Sequence, residues 1–219
     1  MVNHIDNKSE EKIKMKMKSI ALSMAASALM ISSVQVNAGK GDPHLDKITQ
    51  QPAINILNGN AVDAVSTVMR HKDSVGISFD SRGLNPGHAY TLWVMHFDKP
   101  ENCNTPCGCT LADFANPDVT AGAIGGMTGR VADEYGQARL ATVINYGELP
   151  TGPGQILVPN PIKDKKSELM LVLRDHGPAS SDATELEQQL SSWGGGCTTN
   201  SCADTILSRH RSPYCKAGS

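Results

Sequence analysis

Six cysteines in two groups of three constrain this fold more than any other sequence feature. The two groups are Cys103, Cys107 and Cys109, and Cys197, Cys202 and Cys215. In an oxidising compartment, an even number of cysteines favours disulfides over metal thiolates or a cysteine nucleophile. Two groups of odd size cannot each pair internally, so at least one bridge must join them. The middle of the chain is therefore predicted to lie beside its C-terminal part.

The first 38 residues have the layout of a secretory signal peptide. Alternate lysines from Lys12 to Lys18 precede the apolar run Ile20–Val34, and small residues end the segment at Ala38. The apolar run of about fifteen residues is shorter than the roughly 20 that a membrane span needs. We expect cleavage after Ala38, a periplasmic or secreted mature protein, and no membrane span after cleavage. An uncleaved anchor is the alternative.

The mature part is long enough for one domain, and it has slightly more acidic than basic side chains. Removing five lysines and three acids of the leader from 20 basic and 22 acidic residues leaves 15 and 19, a net charge of −4. Nucleic acid is not an expected partner, because its binding needs a basic face. We expect residues 39–52 to form a mobile N-terminal arm, and residues 53–219 to form a single disulfide-linked domain.

Short apolar runs separated by turn residues predict an all-β fold. One short helix is expected within Ser181–Trp193, with Asp182 as its cap, and the run 147–161 is too rich in proline and glycine for regular structure. This pattern favours an antiparallel Greek-key β-sandwich of the immunoglobulin type. The predicted strands are Ala53–Leu57, Val62–Arg70, Ser74–Asp80, Tyr90–Phe97, Val119–Ala132 (bulged), Ala138–Asn145, Glu168–Arg174 and Ala203–His210.

Tyr90–Phe97 is apolar on both faces, which indicates an interior strand. Ser74–Asp80 is expected to form a hairpin with it. An immunoglobulin-like order places Glu168–Arg174 antiparallel to Tyr90–Phe97, and Ala203–His210 antiparallel to Glu168–Arg174. That order brings Cys215 to the first cysteine group and leaves Cys197 to pair with Cys202. Cys107 and Cys109 are too close in sequence to bridge easily, so Cys103 pairs within its own loop or with Cys215.

The histidines are the candidate metal ligands. His88 and His96 lie eight residues apart on one extended segment, roughly 26 Å at about 3.3 Å per residue, so they cannot share one ion. The same strand order places His176 at the His88 end, near the Cys197–Cys202 pair, and His210 at the His96 end. If a metal binds, His88 and His176 with Asp175 are the predicted ligands of copper or zinc. We expect no cofactor and no stoichiometric metal on the isolated protein.

Parts of the chain resemble an uncharacterised family of secreted bacterial proteins. The likeness lies in Tyr-Thr-Leu-Trp and Pro-Glu-Asn-Cys of the 90–103 region, in Arg174–Pro178, and in the triple glycine before Cys197. The resemblance implies export and an all-β domain, and it implies no reaction.

The turn Gly83–His88 also resembles copper–zinc superoxide dismutase and the related chordin-type sandwich domains, where Gly-Leu-x-x-Gly leads into a strand carrying histidine. The dismutase strand has a His-x-His pair, whereas here the strand carries only His96, at its far end. The resemblance therefore implies a superoxide dismutase-like sandwich as the second form of the fold, without dismutase chemistry.

Three functions follow from these features. The first is a non-catalytic exported domain that binds an extracytoplasmic protein, glycan or small ligand through end loops, because long loops carry binding residues. The second is a periplasmic copper or zinc protein using His88 and His176. The third is a hydrolase or isomerase with His176 as base, for which the chain offers no nucleophile motif. The alternative for Asp175 and His176 is structural, a strand end whose aspartate holds the following turn.

Export gives the first testable prediction. The lysine-rich leader and the small residues ending at Ala38 predict that the exported protein begins at Gly39. N-terminal sequencing of the exported protein checks this, and recovery of the intact leader on cytoplasmic protein would refute it.

Overall fold

The computed structural model describes residues 47–150, 154–197 and 202–215. The strands are β1 (Lys47–Asn55), β2 (Ala61–Arg70), β3 (Ser74–Ser81), β4 (His88–Phe97), β5 (Gly122–Val131), β6 (Ala138–Asn145), β7 (Ile156–Val158), β8 (Glu168–Pro178) and β9 (Ala203–His210). Two α-helices accompany them, α1 (Pro117–Thr120) and α2 (Ala183–Ser191), with short 3-10 turns at Pro100–Asn102 and Leu111–Ala115.

The described strands form one curled sheet in the order β6-β3-β2-β1-β9-β8-β4-β5-β7, which makes a half-barrel. Every neighbouring pair runs antiparallel. The prediction of an antiparallel all-β domain is confirmed. A sandwich of two stacked sheets is not what these strands form, because β1 and β9 pair at Ile54 and Asn55 and so join the two halves into one sheet.

The central strands β4 and β8 are buried almost throughout, as expected for an interior pair. On one face, Leu92 and Val94 of β4 pack with Leu169 and Leu171 of β8 against apolar residues of β2, β3 and β6. Phe79 is among these and is fully buried. This cluster fills the inside of the curl. Burying a large apolar side chain contributes roughly 1.5–3 kcal/mol, so the cluster is a main source of stability.

The opposite face of the same two strands carries a second core. Trp93, Phe97 and Met170 project from it, because side chains alternate along a strand. The segment between β4 and β5 covers this face and contributes the buried Cys103 and Cys109. The near-continuous apolar runs of β4 and β8 thus correspond to burial on both faces.

Helix α2 begins where the sequence predicts, with Asp182 accepting a hydrogen bond from the Glu185 backbone N–H at 2.9 Å. Its last turn lies directly on β5. A Cβ atom at Gly129 would overlap the backbone of Leu190, so only glycine permits this approach. The glycine-rich composition that predicted a bulged strand over 119–132 therefore also serves helix packing, and β5 does carry a bulge opposite Leu92 and Trp93.

Three disulfides join Cys103 to Cys109, Cys107 to Cys215 and Cys197 to Cys202. The predicted bridge between the two cysteine groups is present as Cys107–Cys215. The strand order used to predict it is also present, since β4 pairs with β8 and β8 with β9. The Cys197–Cys202 pairing is likewise confirmed.

Three local predictions are wrong. Residues Lys47–Pro52 of the predicted mobile arm belong to β1, where they pair with β2 from Arg70 to Val65. Their side chains are exposed or half-buried, so this part of the strand is largely polar and has no apolar pattern that would predict it. The strand Ser74–Ser81 forms no hairpin with β4 but pairs with β2 and β6. The short strand β7 lies in the proline- and glycine-rich run and pairs with Ile124 and Gly125.

The predicted signal peptide, residues 1–38, and residues 39–46 of the arm lie outside the described residues. In the part that is described, no helix has the length and apolar character needed to cross a membrane.

The long-range bridge gives a stability prediction. Changing both Cys107 and Cys215 to serine removes a crosslink across 108 residues, which in the chain-entropy model lowers the free energy of unfolding by about 4–5 kcal/mol. Urea unfolding measures this loss in the free energy of unfolding. The matched control changes Cys197 and Cys202, which lie five residues apart, and the same model gives a loss of about 2 kcal/mol. Equal losses for the two pairs would contradict the prediction.

Candidate functional site

The three residues predicted as metal ligands lie at one end of β4 and β8 but do not converge. Asp175 and His176 are consecutive in β8, so their side chains leave opposite faces of the sheet. His88 is on the Asp175 side, with its Nδ1 atom 3.0 Å from Oδ1 of Asp175. His176 is on the other side, bonded to Thr91. The predicted set of His88, His176 and Asp175 is therefore wrong as a single metal site.

Asp175 holds the turn that precedes β4. Its carboxylate accepts hydrogen bonds from Tyr90 Oη at 3.0 Å, Asn85 Nδ2 at 3.2 Å and the Gly177 backbone N–H at 2.7 Å, besides the contact with His88. A carboxylate has about four lone-pair positions, and these partners use them all. The residue is 7% exposed. This arrangement supports the structural interpretation of Asp175 and leaves no oxygen for a metal.

His176 is fully buried, and both of its ring nitrogens have partners. Nδ1 lies 2.8 Å from the Gly195 carbonyl oxygen, which can only accept, so Nδ1 carries the proton. Nε2 then accepts from the Thr91 hydroxyl at 2.7 Å, and Thr91 Oγ1 in turn accepts from the Trp93 indole N–H at 2.7 Å. Burial lowers the pKa of His176. This histidine is consequently neutral, with one defined tautomer.

The Cys197–Cys202 disulfide lies against this imidazole. Nδ1 of His176 is 3.6 Å from Sγ of Cys202 and 3.9 Å from Sγ of Cys197. The three groups form the one set of potential metal ligands found among the described histidine, cysteine and acidic residues, with all ligand atoms within 4.8 Å of one another. The group could hold a metal, but in this state the two sulfurs are bonded to each other. The prediction that His176 lies near this cysteine pair is confirmed.

An ion pair and an aromatic stack border the group. Arg174 Nη1 contacts Asp204 Oδ1 at 2.7 Å, and the guanidinium lies 4.2 Å from the ring centroid of Trp193. Trp193 also meets Trp93 edge-on, with centroids 4.7 Å apart. The Arg174 Nε–H donates to the Trp193 carbonyl at 2.9 Å. These contacts fix the segment that leads to Cys197.

His96 and His210 occupy the other end of the strands, on either side of Leu169 as predicted. His210 is fully buried between Ser66, 2.7 Å from its Nε2, and Thr49, 2.8 Å from its Nδ1. Burial lowers its pKa to about 3. His96 is buried with Nε2 3.8 Å from Asp98, and burial lowers its pKa as well. Neither belongs to a group of metal ligands among the described residues.

Glu168 is a buried acid that the sequence analysis did not single out. Its carboxylate is fully buried, and in the described part of the chain neither oxygen has a partner with full hydrogen-bond geometry, although the Cys109 backbone N–H is near enough to lower the Glu168 pKa. Burial raises its pKa to about 7, opposed by Arg209, whose Nε lies 4.0 Å from Oε1. Its signal in the sequence is an acidic residue at the first position of an otherwise apolar strand.

Comparison of the chain with protein-family models, with curated proteins and with solved structures gave no match. The function of this chain can therefore be inferred only from the contacts and distances of its own residues.

Glu168 predicts an unusual dependence of stability on pH. Between about pH 4.5 and 7 the folded chain keeps the Glu168 proton that the unfolded chain has released, so raising the pH through this window destabilises the fold. A shift of this size corresponds to about 3 kcal/mol. The free energy of unfolding of Glu168→Gln, relative to that of the wild type, should therefore rise by about 2–3 kcal/mol from pH 5 to pH 8. Urea unfolding at the two pH values measures this change.

The buried His210 has the opposite effect, because its lowered pKa means that the fold loses stability as the pH falls below 6.5. Subtracting the wild-type stability from that of Glu168→Gln at each pH removes this contribution, since both proteins contain His210. Glu187→Gln, at an exposed position, is the control and should follow the wild type. A Glu168→Gln difference that does not change with pH would contradict the prediction.

Proposed function

We propose that this chain is an exported, non-catalytic domain that binds its partner through the loops at the Phe97 end of the sheet. The loop end, as we call this surface, consists of the described residues of three segments: 98–121, 146–150 with 154–167, and 211–215. Phe97 ends β4 opposite Glu168 at the start of β8, and His210 ends β9 opposite Leu169. The three segments therefore leave the sheet at the same end.

The observation that carries this proposal is the bonding among the three segments. Cys107 and Cys215 join the first to the third. Asn160 donates to the Ala121 carbonyl at 3.1 Å, and the Ser167 hydroxyl donates to Asp98 at 2.5 Å, which join the first to the second. A surface held in one conformation before binding loses less entropy on association. Such crosslinking of long irregular segments is typical of a preorganised binding surface.

The loop end exposes apolar side chains that a partner can cover. Val119 is 53% exposed, Leu149 43% and Tyr214 56%. The Lys166 ammonium lies 5.3 Å from the Tyr214 ring centroid, which restrains that ring. The cavity lined by His96 and Ile156 has a volume of about 10 Å³, which is roughly the space of one water molecule. These features favour a protein or glycan over an enclosed small ligand.

Catalysis by His176 is disfavoured on physical grounds. A general base must reach its substrate and hold a free nitrogen lone pair. His176 is 1% exposed, and its Nε2 lone pair already accepts from Thr91.

Copper or zinc binding is the second candidate function, in the form that the geometry allows. We infer that its ligands are His176, Cys197 and Cys202, and that His88 and Asp175 take no part. The convergence of these three groups supports it.

We also infer that the strands follow a Greek-key order. β5 contacts β6 across the open side of the half-barrel. With that contact counted as adjacency, β3, β6, β5 and β4 follow one another around the barrel, which is the Greek-key arrangement. This order supports the Greek-key part of the predicted fold, within one curled sheet rather than a sandwich of two sheets.

Site-specific photocrosslinking in cells that export the full chain tests the binding function. A photoreactive phenylalanine derivative replaces Tyr214 of the loop end. It should form an adduct with the partner, because this exposed ring would lie in the interface. Digestion of the adduct by protease or glycosidase then identifies a protein or a glycan.

Tyr135 provides a matched control. It is 73% exposed and lies in the turn between β5 and β6, whose Gly136 carbonyl accepts from the Leu84 N–H near the opposite end of the sheet. The same derivative at Tyr135 should give no adduct. The proposal fails if Tyr214 gives none, or if both positions give the same adduct.

A further inference from the structure

We propose that the Cys197–Cys202 disulfide is a redox gate, and that a dithiol which reduces it creates a three-ligand site for a thiophilic d10 ion, Zn(II) or Cu(I). The ligands are the two thiolates and Nδ1 of His176. The inference deepens the second proposed function by making metal binding conditional on reduction, and it is independent of ligand binding at the loop end.

The distances around Nδ1 already fit such an ion. With Zn–S near 2.3 Å and Zn–N near 2.0–2.1 Å, a tetrahedral angle places nitrogen and sulfur about 3.6 Å apart. The observed separations from Nδ1 are 3.6 Å to Cys202 and 3.9 Å to Cys197. Two features differ from the metal-bound arrangement: the sulfurs are covalently bonded, and the Gly195 carbonyl oxygen lies 2.8 Å from Nδ1 on the side where the ion would bind. Breaking the S–S bond, separating the sulfurs to about 3.8 Å and turning the Gly195 carbonyl away from Nδ1 completes the ligand set.

The spacing of the two cysteine backbones permits the sulfurs to separate, and the backbone change that the site needs is confined to the Gly195 carbonyl. The Cα atoms of Cys197 and Cys202 lie 5.2 Å apart, so side-chain rotation alone can spread the sulfurs. His176 is held by Thr91, and the Arg174–Trp193 contact fixes the segment before Cys197. Two ligands are adjustable and one is fixed, which suits a site that assembles only after reduction.

The gate opens by thiol–disulfide exchange. A thiolate of the reducing dithiol attacks one sulfur of the Cys197–Cys202 bond, forming a mixed disulfide and releasing the other sulfur as a thiolate. The second thiol of the reductant then closes its own disulfide and releases the second cysteine. Two electrons and two protons pass from the reductant to the cysteines, which become thiols. When the metal ion binds, those two protons are released to solvent.

Metal binding also requires the other tautomer of His176. At present Nδ1–H donates to the Gly195 carbonyl, so that proton must leave and Nε2 must take one up. Nε2–H can then donate to Thr91 Oγ1, which already accepts from Trp93 and has a second lone pair. A metal-bound histidine characteristically donates its other N–H to such an acceptor. Thr91 therefore serves both states by rotating its hydroxyl.

A reductant and an ion can reach the sulfurs, because Cys197 and Cys202 are both half-buried, whereas His176 behind them is buried. With three protein ligands, Zn(II) keeps one position for water or an external ligand, while Cu(I) is satisfied by three-coordination. Thiolate ligands favour both ions over Mg(II) or Ca(II).

Metal titration of the mature protein in its oxidised and reduced forms tests the gate. Zn(II) and Cu(I) are titrated separately against a chromophoric chelator. After reduction by a small dithiol and its removal without air, one equivalent should bind at least 100-fold more tightly than to the oxidised protein. Nitrogen-15 NMR should show the His176 proton moving from Nδ1 to Nε2 on binding, a change that a cysteine-only site would not produce.

Three variants show which residues bind the ion. The double variant Cys197→Ser, Cys202→Ser removes both thiolate ligands and should lose the reduction-dependent site. It keeps the other four cysteines, so any binding by those cysteines after reduction would still be detected. His176→Gln should weaken binding at least 10-fold. Thr91→Val removes the acceptor of Nε2–H and of the Trp93 indole N–H but no metal ligand, and it should weaken binding by about 10-fold. Unfolding curves of the variants separate a loss of ligands from a loss of fold.

Each result has a distinct meaning. Tight binding that appears only after reduction and needs Cys197, Cys202 and His176 supports the gate. Binding of equal strength in the oxidised form that still needs His176 overturns the gate but keeps the second proposed function. Absence of binding in both forms, or binding that persists in the double serine variant, overturns both.

Discussion

Burial of β4 and β8 on both faces is the constraint on which the rest of this structure depends. Leu92 and Leu171 fill the curl of the sheet, and Trp93 and Met170 fill the core beneath the disulfide segment. A strand buried on both faces must have cover on each side. The curl of the sheet supplies one cover, and the crosslinked segment between β4 and β5 supplies the other.

The same two-sided burial decides what the polar residues at the end of β8 can do. Alternation sends Asp175 towards the turn before β4 and His176 towards Thr91 and the Cys197–Cys202 bridge. Adjacent residues therefore have unrelated roles. Asp175 fixes a turn through four hydrogen bonds, while His176 lies against the one sulfur pair that can become a pair of ligands. A sequence run that suggested one metal site thus contributes to two separate networks.

Most of the strands could be predicted from sequence, because they depend on local periodicity, and the pairing of Cys197 with Cys202 followed from the order of the last strands. The first part of β1 could not, since its polar residues Gln50 and Gln51 carry no apolar signal and pair only because β2 is beside them. The false hairpin between β3 and β4 had the same origin. Nearness in the chain favoured it, but β3 gains burial by pairing with β6 and β4 by pairing with β8. The site failed at one step, because the set His88, Asp175 and His176 ignored the alternation of consecutive side chains along a strand.

The lengths of chain that the disulfides close explain how a redox gate and a rigid loop end can exist in one small domain. Cys107–Cys215 closes a loop of more than a hundred residues and joins two segments of the loop end, so opening it greatly increases the entropy of the unfolded chain and destabilises the fold. Cys197–Cys202 closes a very short loop at the opposite end of β8, where its opening releases little chain entropy. The bridge whose loss the fold best tolerates is also the one that lies against an imidazole. Reduction at that end can therefore change metal affinity while the loop end keeps its conformation, which makes the two proposed functions physically independent.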